Sequence, residues 1–431
     1  MKSDKSNLVL FSTIIVAALG YFVDIYDLLL FSIIRVESLK SIGITDPAQI
    51  QDIGLSLLNW QMLGMLIGGL GWGIWGDKKG RLSVLFGSIL LYSIANIANG
   101  FVETVPIYKV LRFIAGLGLA GELGAGITLV SEIMSKEKRG YGTTVVASIG
   151  ILGAVAAYFV SQFWDWRTAY FVGGGLGVAL LLLRLSVFES GMFNSVRAKM
   201  VQRGNFLQLF QSRERFFRYA KCILVGMPTW FVVGILVTLA PEFSKAFGMS
   251  DPIQTGSAAI MWCYAGLTLG DLASGLTSQF LKSRKWALLL FHLLSALTII
   301  WYLLSGDISQ DLFYFKIFCI GFGVGYWAIF VTIASENFGT NLRATVTTTV
   351  PNFARSSLIP ISMVFVSLKY GVSLVAAFNT TLLGNKPPAG ATGIGLLDAA
   401  WIVGGVCVAI ALATLYFLPE TFNKDLDYLE E

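Results

Sequence analysis

The sequence predicts an all-α membrane protein of twelve transmembrane helices in two six-helix halves. Three observations predict it. Of 431 residues, 55% are hydrophobic and only 13% charged, with a mean hydropathy of +0.71, whereas soluble domains carry about a quarter charged residues. Apolar runs of bilayer-crossing length, about 20 residues, recur along the whole chain. They are continuous rather than alternating, which excludes a β-barrel. One long polar connection, residues 189–218, falls near the middle.

The runs lie at 8–34, 54–76, 82–102, 107–133, 142–163, 168–188, 219–240, 256–281, 286–305, 312–335, 345–368 and 396–418. The first follows a short polar leader, Met1 to Asn7, and is too long for the apolar region of a cleaved signal. Lys78, Lys79 and Arg81 lie in the second loop, Lys136, Lys138 and Arg139 in the fourth, and Lys282, Arg284 and Lys285 in the eighth. Loops of the other parity carry few basic residues. Both termini are therefore expected in the cytoplasm, with a bacterial inner membrane as the location. Between spans six and seven, 189–218 holds Arg197, Lys199, Arg203, Arg213, Arg215 and Arg218. It reads as a cytoplasmic linker with amphipathic surface helices, dividing an N-terminal half (1–188) from a C-terminal half (219–431).

The formal charge of +5 resides in these loops, so it does not indicate a nucleic-acid partner. Forty-six glycines suit close helix packing in lipid. Cys222, Cys263, Cys319 and Cys407 all fall inside apolar runs without metal-ligand or redox spacing and read as buried free thiols. His292, the lone histidine, reads as a packed residue rather than a proton relay.

The first span carries two carboxylates, Asp24 and Asp27. A charge at the centre of a membrane helix costs about 2.5–3.5 kcal/mol on the insertion scale, so such residues face a cavity or partner and mark ion or substrate paths. At the helical rise, Asp27 lies about 10 Å and Asp24 about 15 Å from the far end of the span. On the fourth span, Arg112 lies at about 8 Å and Glu122 beyond about 20 Å. Asp27 and Arg112 thus match in depth, whereas Asp24 and Glu122 have no obvious static partner. In the second half, Arg355 in span eleven and Asp271 in span eight lie near the midplane. They read either as an ion pair or as an anion-anchoring guanidinium tuned by a neighbouring carboxylate. Lys316, near a span end, reads as snorkelling. Among many membrane aromatics, Tyr26 beside Asp27 and Trp327 midway in span ten are the candidates for lining a cavity.

The halves repeat. Span four ends Ser131-Glu132, followed by Arg139-Gly140 and Thr143-Thr144-Val145. Span ten ends Ser335-Glu336, followed by Arg343-Ala344 and Thr348-Thr349-Val350, with the same Glu-to-Arg spacing. Repeated halves with a midplane site between them are a common transporter architecture.

The loop after span two reads Gly73-Ile74-Trp75-Gly76-Asp77-Lys78-Lys79-Gly80-Arg81. It resembles the G-x-x-x-D-R/K-x-G-R signature of the major facilitator superfamily. Its glycines allow close helix approach, and its Asp and basic residues form a charge pair that is made in one conformation and broken in another. The matching second-half loop keeps Gly275 and Arg284-Lys285 but has Gln279 where an Asp is expected, which shifts a second-half gate toward Glu336 and Arg343. Span four reads Arg112-x-x-x-Gly116-x-Gly118-x-x-Gly121-Glu122, similar to the metabolite:proton symporters. Glu189-Ser190 and Pro419-Glu420-Thr421 resemble junctions of the sugar porters. The string Asn352-Phe353-Ala354-Arg355 resembles the helix-eleven arginine region of organic-ion transporters. Span five lacks the antiporter signature G-P-x-x-G, which favours uptake over drug efflux.

The resemblance implies a major facilitator fold working by alternating access. It also implies that Asp27 and Arg112 couple proton and substrate binding, as the pair at the similar positions does in sugar porters. A static pair stabilising the bundle remains the structural alternative, since breaking a buried pair costs about 3–5 kcal/mol. The expected function is secondary active transport: proton-coupled symport of a small organic anion such as a carboxylate. Proton coupling is assigned to Asp24, Asp27, Arg112 and Glu122, and substrate contact to Arg355, Asp24, Tyr26, Trp327 and Asp271. The cytoplasmic gate comprises Gly73, Asp77, Lys78, Gly80, Arg81, Glu132, Arg139, Glu336 and Arg343. A sugar or organic-cation transporter, a divalent-metal exporter using Asp24 and Glu122 as hard ligands, and a transport-dead receptor stay open as alternatives. The sequence holds no nucleophile–base pair, phosphate loop or metal cluster. No enzymatic activity, cofactor or resident metal is expected, and the partners are a solute, a coupling ion (a proton) and the bilayer around a monomer.

Overall fold

The computed structural model describes residues 2–79, 81–124, 126, 130, 134, 139–189, 206, 208–388 and 390–424. All regular elements among them are helices. Eight helices are by themselves long and apolar enough to cross a membrane, and they coincide with spans one, two, five, six, seven, nine, ten and twelve. The eleventh belongs to a bent pair of helices. Ser83–Asn99, Val105–Leu119 and Ser257–Phe280 supply spans three, four and eight.

The first helix, Lys2–Ser41, exceeds its apolar run at both ends. Several other spans are broken, and proline accounts for three of the interruptions. A proline ring clashes with the carbonyl four residues back and offers no N–H. Accordingly Arg213–Leu224 stops four residues before Pro228, the π-helical stretch Val232–Val237 stops four before Pro241, and Thr340–Ser356 stops four before Pro360. Span ten breaks between Gln310–Gly323 and Trp327–Glu336, where Gly323 and Gly325 weaken the helix. Arg213–Leu224 leads into span seven, so a helix already begins at Arg213. Arg218 there donates to the Asn337 carbonyl at 2.9 Å, anchoring the segment to the second half.

The internal repeat reappears in packing. Spans two and four approach so closely that a Cβ on Gly116 would strike the Gln61 carbonyl. Spans eight and ten do the same, with Gly321 against the Cys263 carbonyl.

The two halves touch at both ends. At the end where the first helix finishes, Arg35 pairs with Glu242 (2.9 Å) and donates to the Thr238 carbonyl (3.2 Å). Lys369 donates to Gln51 (2.9 Å) and Tyr370 to Asp52 (3.3 Å). At the opposite end, Asn352 donates to the Ala120 carbonyl (2.7 Å), and Thr143 meets Thr332 (3.4 Å).

One element lies where the sequence offered only a connection. After Gly371 (φ +65°) ends span eleven, Ser373 caps a short helix, Leu374–Phe378, which continues as a π-helix, Asn379–Leu383, to Gly384 (φ +72°). This segment folds back at 119° and docks on the other half. Ser56 and the Trp60 indole both donate to the Leu382 carbonyl at 2.7 Å, and Asn59 donates to Thr381 at 3.0 Å.

Candidate functional site

The site forms where the first span meets the broken tenth and the eleventh. The break at Val324–Tyr326 leaves backbone N–H groups at the start of Trp327–Glu336 without helical partners. Asp271 of span eight fills that role: its Oδ1 accepts from the Ala328 N–H at 2.8 Å. A carboxylate at a helix N-terminus is also favoured by the local dipole. Gly325 makes the approach possible, since a Cβ there would lie 2.6 Å from the Gly270 Cα and 2.7 Å from the Asp271 nitrogen.

Arg355 therefore does not pair with Asp271, as one reading of the sequence held. It reaches across to the other half. Its Nη2 lies 3.5 Å from Asp24 Oδ2, its Nη1 donates to Asn352 Oδ1 at 3.4 Å, and its guanidinium lies 5.7 Å from the Trp327 ring centre. Trp327 meets Trp230 of span seven edge-on, with centroids 6.3 Å apart. Asp24 and Asp271 are fully buried, and Arg355 is 1% exposed. Asp24 thus has a partner, contrary to expectation, and it comes from the opposite half.

Asp27 and Arg112 match in depth without forming a direct bond. Among the described residues, no side chain meets an Asp27 oxygen, or Arg112 Nε or Nη2, within hydrogen-bond geometry, although Asn96 lies close to Asp27. Arg112 Nη1 reaches the Tyr170 hydroxyl at 3.5 Å, and its guanidinium lies 5.4 Å from the Phe31 ring. Phe31 is one turn beyond Asp27, so both charges lie against the same stretch of the first span. Gly173 of span six leaves space there, because a Cβ on it would overlap Asp27. The Tyr26 ring stands against the same glycine, and its hydroxyl donates to the Ala169 carbonyl at 3.0 Å, tying the first span to the sixth.

Glu122 also has a partner that the sequence did not suggest. It forms a buried bidentate ion pair with Arg184 of span six. Gly20 leaves the room, since a Cβ there would overlap both side chains. Arg184 escaped notice because it stands four residues from the end of its apolar run, where a long cation ordinarily snorkels. Yet it is 1% exposed.

Of the expected gate, Gly73 is placed against span eleven, with Thr345 and Thr349 atoms 3.6–3.8 Å from where its Cβ would stand. Gly80, Glu132 and the side chains of Asp77, Lys78, Arg81 and Arg139 lie outside the described residues. Glu336 pairs with Arg284 (3.3 Å) and accepts from Thr421 (2.9 Å). Arg343 donates to the Ser335 and Phe338 carbonyls at 3.1 and 3.3 Å. Glu420 accepts from Ser283 and from the Arg284 N–H. Burial pushes its carboxyl up, but these bonds and those from the Phe422 and Lys285 N–H groups outweigh it and hold the pKa below the usual range. These contacts knot the second half to itself.

His292 packs: its ring nitrogens face the Leu288 and Val225 carbonyls at 2.8 and 3.0 Å, and it stacks on Tyr326. Lys316 caps span nine through the Trp301 carbonyl at 2.9 Å. Among the described residues no three His, Cys, Asp or Glu side chains gather as a metal site requires.

A relative named "Putative metabolite transport protein" from Haemophilus influenzae is 26% identical over 99% of this chain and 100% of its own length. One named "Putative niacin/nicotinamide transporter NiaP" from Bacillus subtilis is 27% identical over 79% of this chain and 84% of its own. The solved structure of the proton:xylose symporter XylE bound to a bromodeoxyglucose superposes with a TM-score of 0.69 at 16% identity, covering 98% of both chains, which shows a shared fold. The family and its transporter-named members make the chain a membrane transporter of small solutes rather than an enzyme. The Major Facilitator Superfamily model matches residues 9–361, and the chain belongs to that superfamily.

Proposed function

We propose that this transporter is a proton-coupled symporter of a small organic carboxylate, and that Arg355 takes the substrate carboxylate in place of Asp24. The observation that carries the proposal is the Asp24–Arg355 pair, 3.5 Å apart, fully buried and bridging the two halves. A guanidinium in such a place is an anion seat. Without substrate, Asp24 occupies it. A carboxylate ligand displaces Asp24, which is left without its counter-charge in a dry interior and takes up a proton. One negative charge and one proton then enter the site together, and the halves remain free to rock. The Trp327 ring beneath Arg355 favours a flat substrate, which accords with the relative named for niacin, a pyridine carboxylic acid. Asp27, with Arg112 in the first half, serves as a second protonatable centre.

In this scheme the termini face the cytoplasm of a bacterial inner membrane, the Arg35–Glu242 end faces outward, and 189–218 links halves 1–188 and 219–431. The loop after span two, with Glu132 and Arg139, closes the inner side.

The test is uptake of benzoate or nicotinate by proteoliposomes under an imposed proton gradient. Wild type accumulates the acid. Asp24→Asn keeps counterflow but loses gradient-driven accumulation, and Arg355→Gln loses both. Full accumulation in both Asp24→Asn and Asp27→Asn would end the coupling proposal. Transport of a sugar or amine indifferent to Arg355→Gln would favour the cation or sugar alternative.

A further inference from the structure

Trp230 sits between Pro228 and the π-helical stretch Val232–Val237 of span seven. Such π-turns are frequent at functional sites. Its ring is 4% exposed, as is that of Trp327. An indole N–H is a donor only, and when buried it ordinarily finds an acceptor. Elsewhere in this protein that holds: Trp60 donates to the Leu382 carbonyl at 2.7 Å and Trp72 to the Leu117 carbonyl at 2.6 Å. Among the described residues, the buried Trp230 and Trp327 indole nitrogens have no hydrogen-bond partner. They are neighbours, 6.3 Å apart by ring centroid, and Trp327 is itself 5.7 Å from the Arg355 guanidinium. Trp327 thus stands between the Arg355 guanidinium and Trp230, and both indole donors are open to a ligand acceptor.

We propose that Trp230 is a specificity residue: its indole N–H binds a hydrogen-bond acceptor carried by the substrate away from its carboxylate. The inference rests on the carboxylate seat proposed at Arg355. The substrate class narrows to flat acids bearing a ring nitrogen, phenol oxygen or carbonyl in addition to the carboxylate. Trp327 supplies the stacking face between the two ends. A plain aromatic acid would leave the Trp230 donor unpaired in a desolvated site, and that omission is what selects against it.

The experiment is a binding series on the purified full chain with benzoate, nicotinate, 3-hydroxybenzoate and 4-hydroxybenzoate. Wild type is expected to bind at least one acceptor-bearing acid about tenfold or more tighter than benzoate. Trp230→Phe, which keeps an aromatic ring and removes the N–H, is expected to abolish that preference by weakening the acceptor-bearing acid relative to benzoate, which no longer strands a donor. Equal weakening of all four acids means that Trp230 only packs, and overturns the inference. Where Trp230→Phe fails to fold, the wild-type series decides: equal affinity for benzoate and every acceptor-bearing acid overturns it. If benzoate binds and Arg355→Gln abolishes that binding, the carboxylate seat stands whichever way the Trp230 result falls. If no carboxylate binds the wild-type chain, both readings fall.

Discussion

Two buried ion pairs sit one helical turn apart along the first span. Asp24 meets Arg355, and the pair formed by Glu122 and Arg184 rests on Gly20. The two differ in what they join. Asp24–Arg355 crosses between halves at 3.5 Å, a loose contact suited to exchange. Glu122–Arg184 is internal to the first half and bidentate, which suits permanence. Removing one member of a buried pair strands the other, at a cost of about 3–5 kcal/mol, whereas removing both costs far less. Arg184→Gln is therefore expected to lower the unfolding temperature sharply in detergent, and Glu122→Gln/Arg184→Gln to recover most of the loss. If the double variant is as unstable as the single, the pair is not what holds these residues. The four central charges, Asp24, Asp27, Arg112 and Arg355, were legible in the sequence because each stands out in an apolar run. Their partners were not. Depth along a helix can be counted from sequence, but which faces meet depends on helix rotation, and so Asp27 and Arg112 share a depth without sharing a bond.

Helix interruptions place the functional side chains. The break before Trp327 recruits Asp271 as its cap and so leaves Arg355 free to reach Asp24. Pro228, Pro241 and Pro360 explain breaks that the apolar runs conceal, because hydropathy averages over a kink while the missing N–H does not. The docked segment Leu374–Leu383 had its own signals in Gly371, Ser373 and Gly384, but its apolar content is too short to register as a span. It holds to the other half through donors on span two, so it behaves as a clasp over that end of the bundle. Each such hydrogen bond contributes about 1 kcal/mol net. Replacing two of them in Ser56→Ala/Trp60→Phe is expected to raise hydrogen–deuterium exchange across 374–383 about tenfold or more, with the neighbouring Leu358–Tyr370 helix unchanged. Unaltered exchange in the segment would show that packing and the remaining bonds from Asn59 and Lys109 hold the clasp without these two donors.

At the scale of the molecule, the twelve-helix plan was readable because hydrophobic length and an internal repeat both survive averaging over the chain. The relation between the halves was not readable, since it is a property of one conformation among several. Here the halves touch at both ends, with the central charges sealed between them. Alternating access requires that one set of end contacts be given up while the other holds, so each set must be weak enough to break. Arg35–Glu242 is the direct charge pair among the described cross-half contacts at its end, with Arg35 at 1% and Glu242 at 20% exposure. Partial exposure of Glu242 puts the pair between the ~1 kcal/mol of an exposed bridge and the cost of breaking a fully buried one, and Arg35 retains the Thr238 carbonyl if Glu242 is neutralised. Such a change shifts populations without unfolding either half. Spin labels at the exposed positions Lys40 and Lys245 report this end of the bundle. Glu242→Gln is expected to broaden their distance distribution toward longer separations, with the open fraction rising about fivefold relative to the closed one for 1 kcal/mol. A carboxylate ligand seated at Arg355 changes the same balance from the centre, because it releases Asp24 from the opposite half. The label pair should therefore respond to ligand in wild type and lose that response in Arg355→Gln. A distribution insensitive to Glu242→Gln would mean that this end is held closed by the Leu374–Leu383 clasp and the Lys369 and Tyr370 contacts rather than by the ion pair.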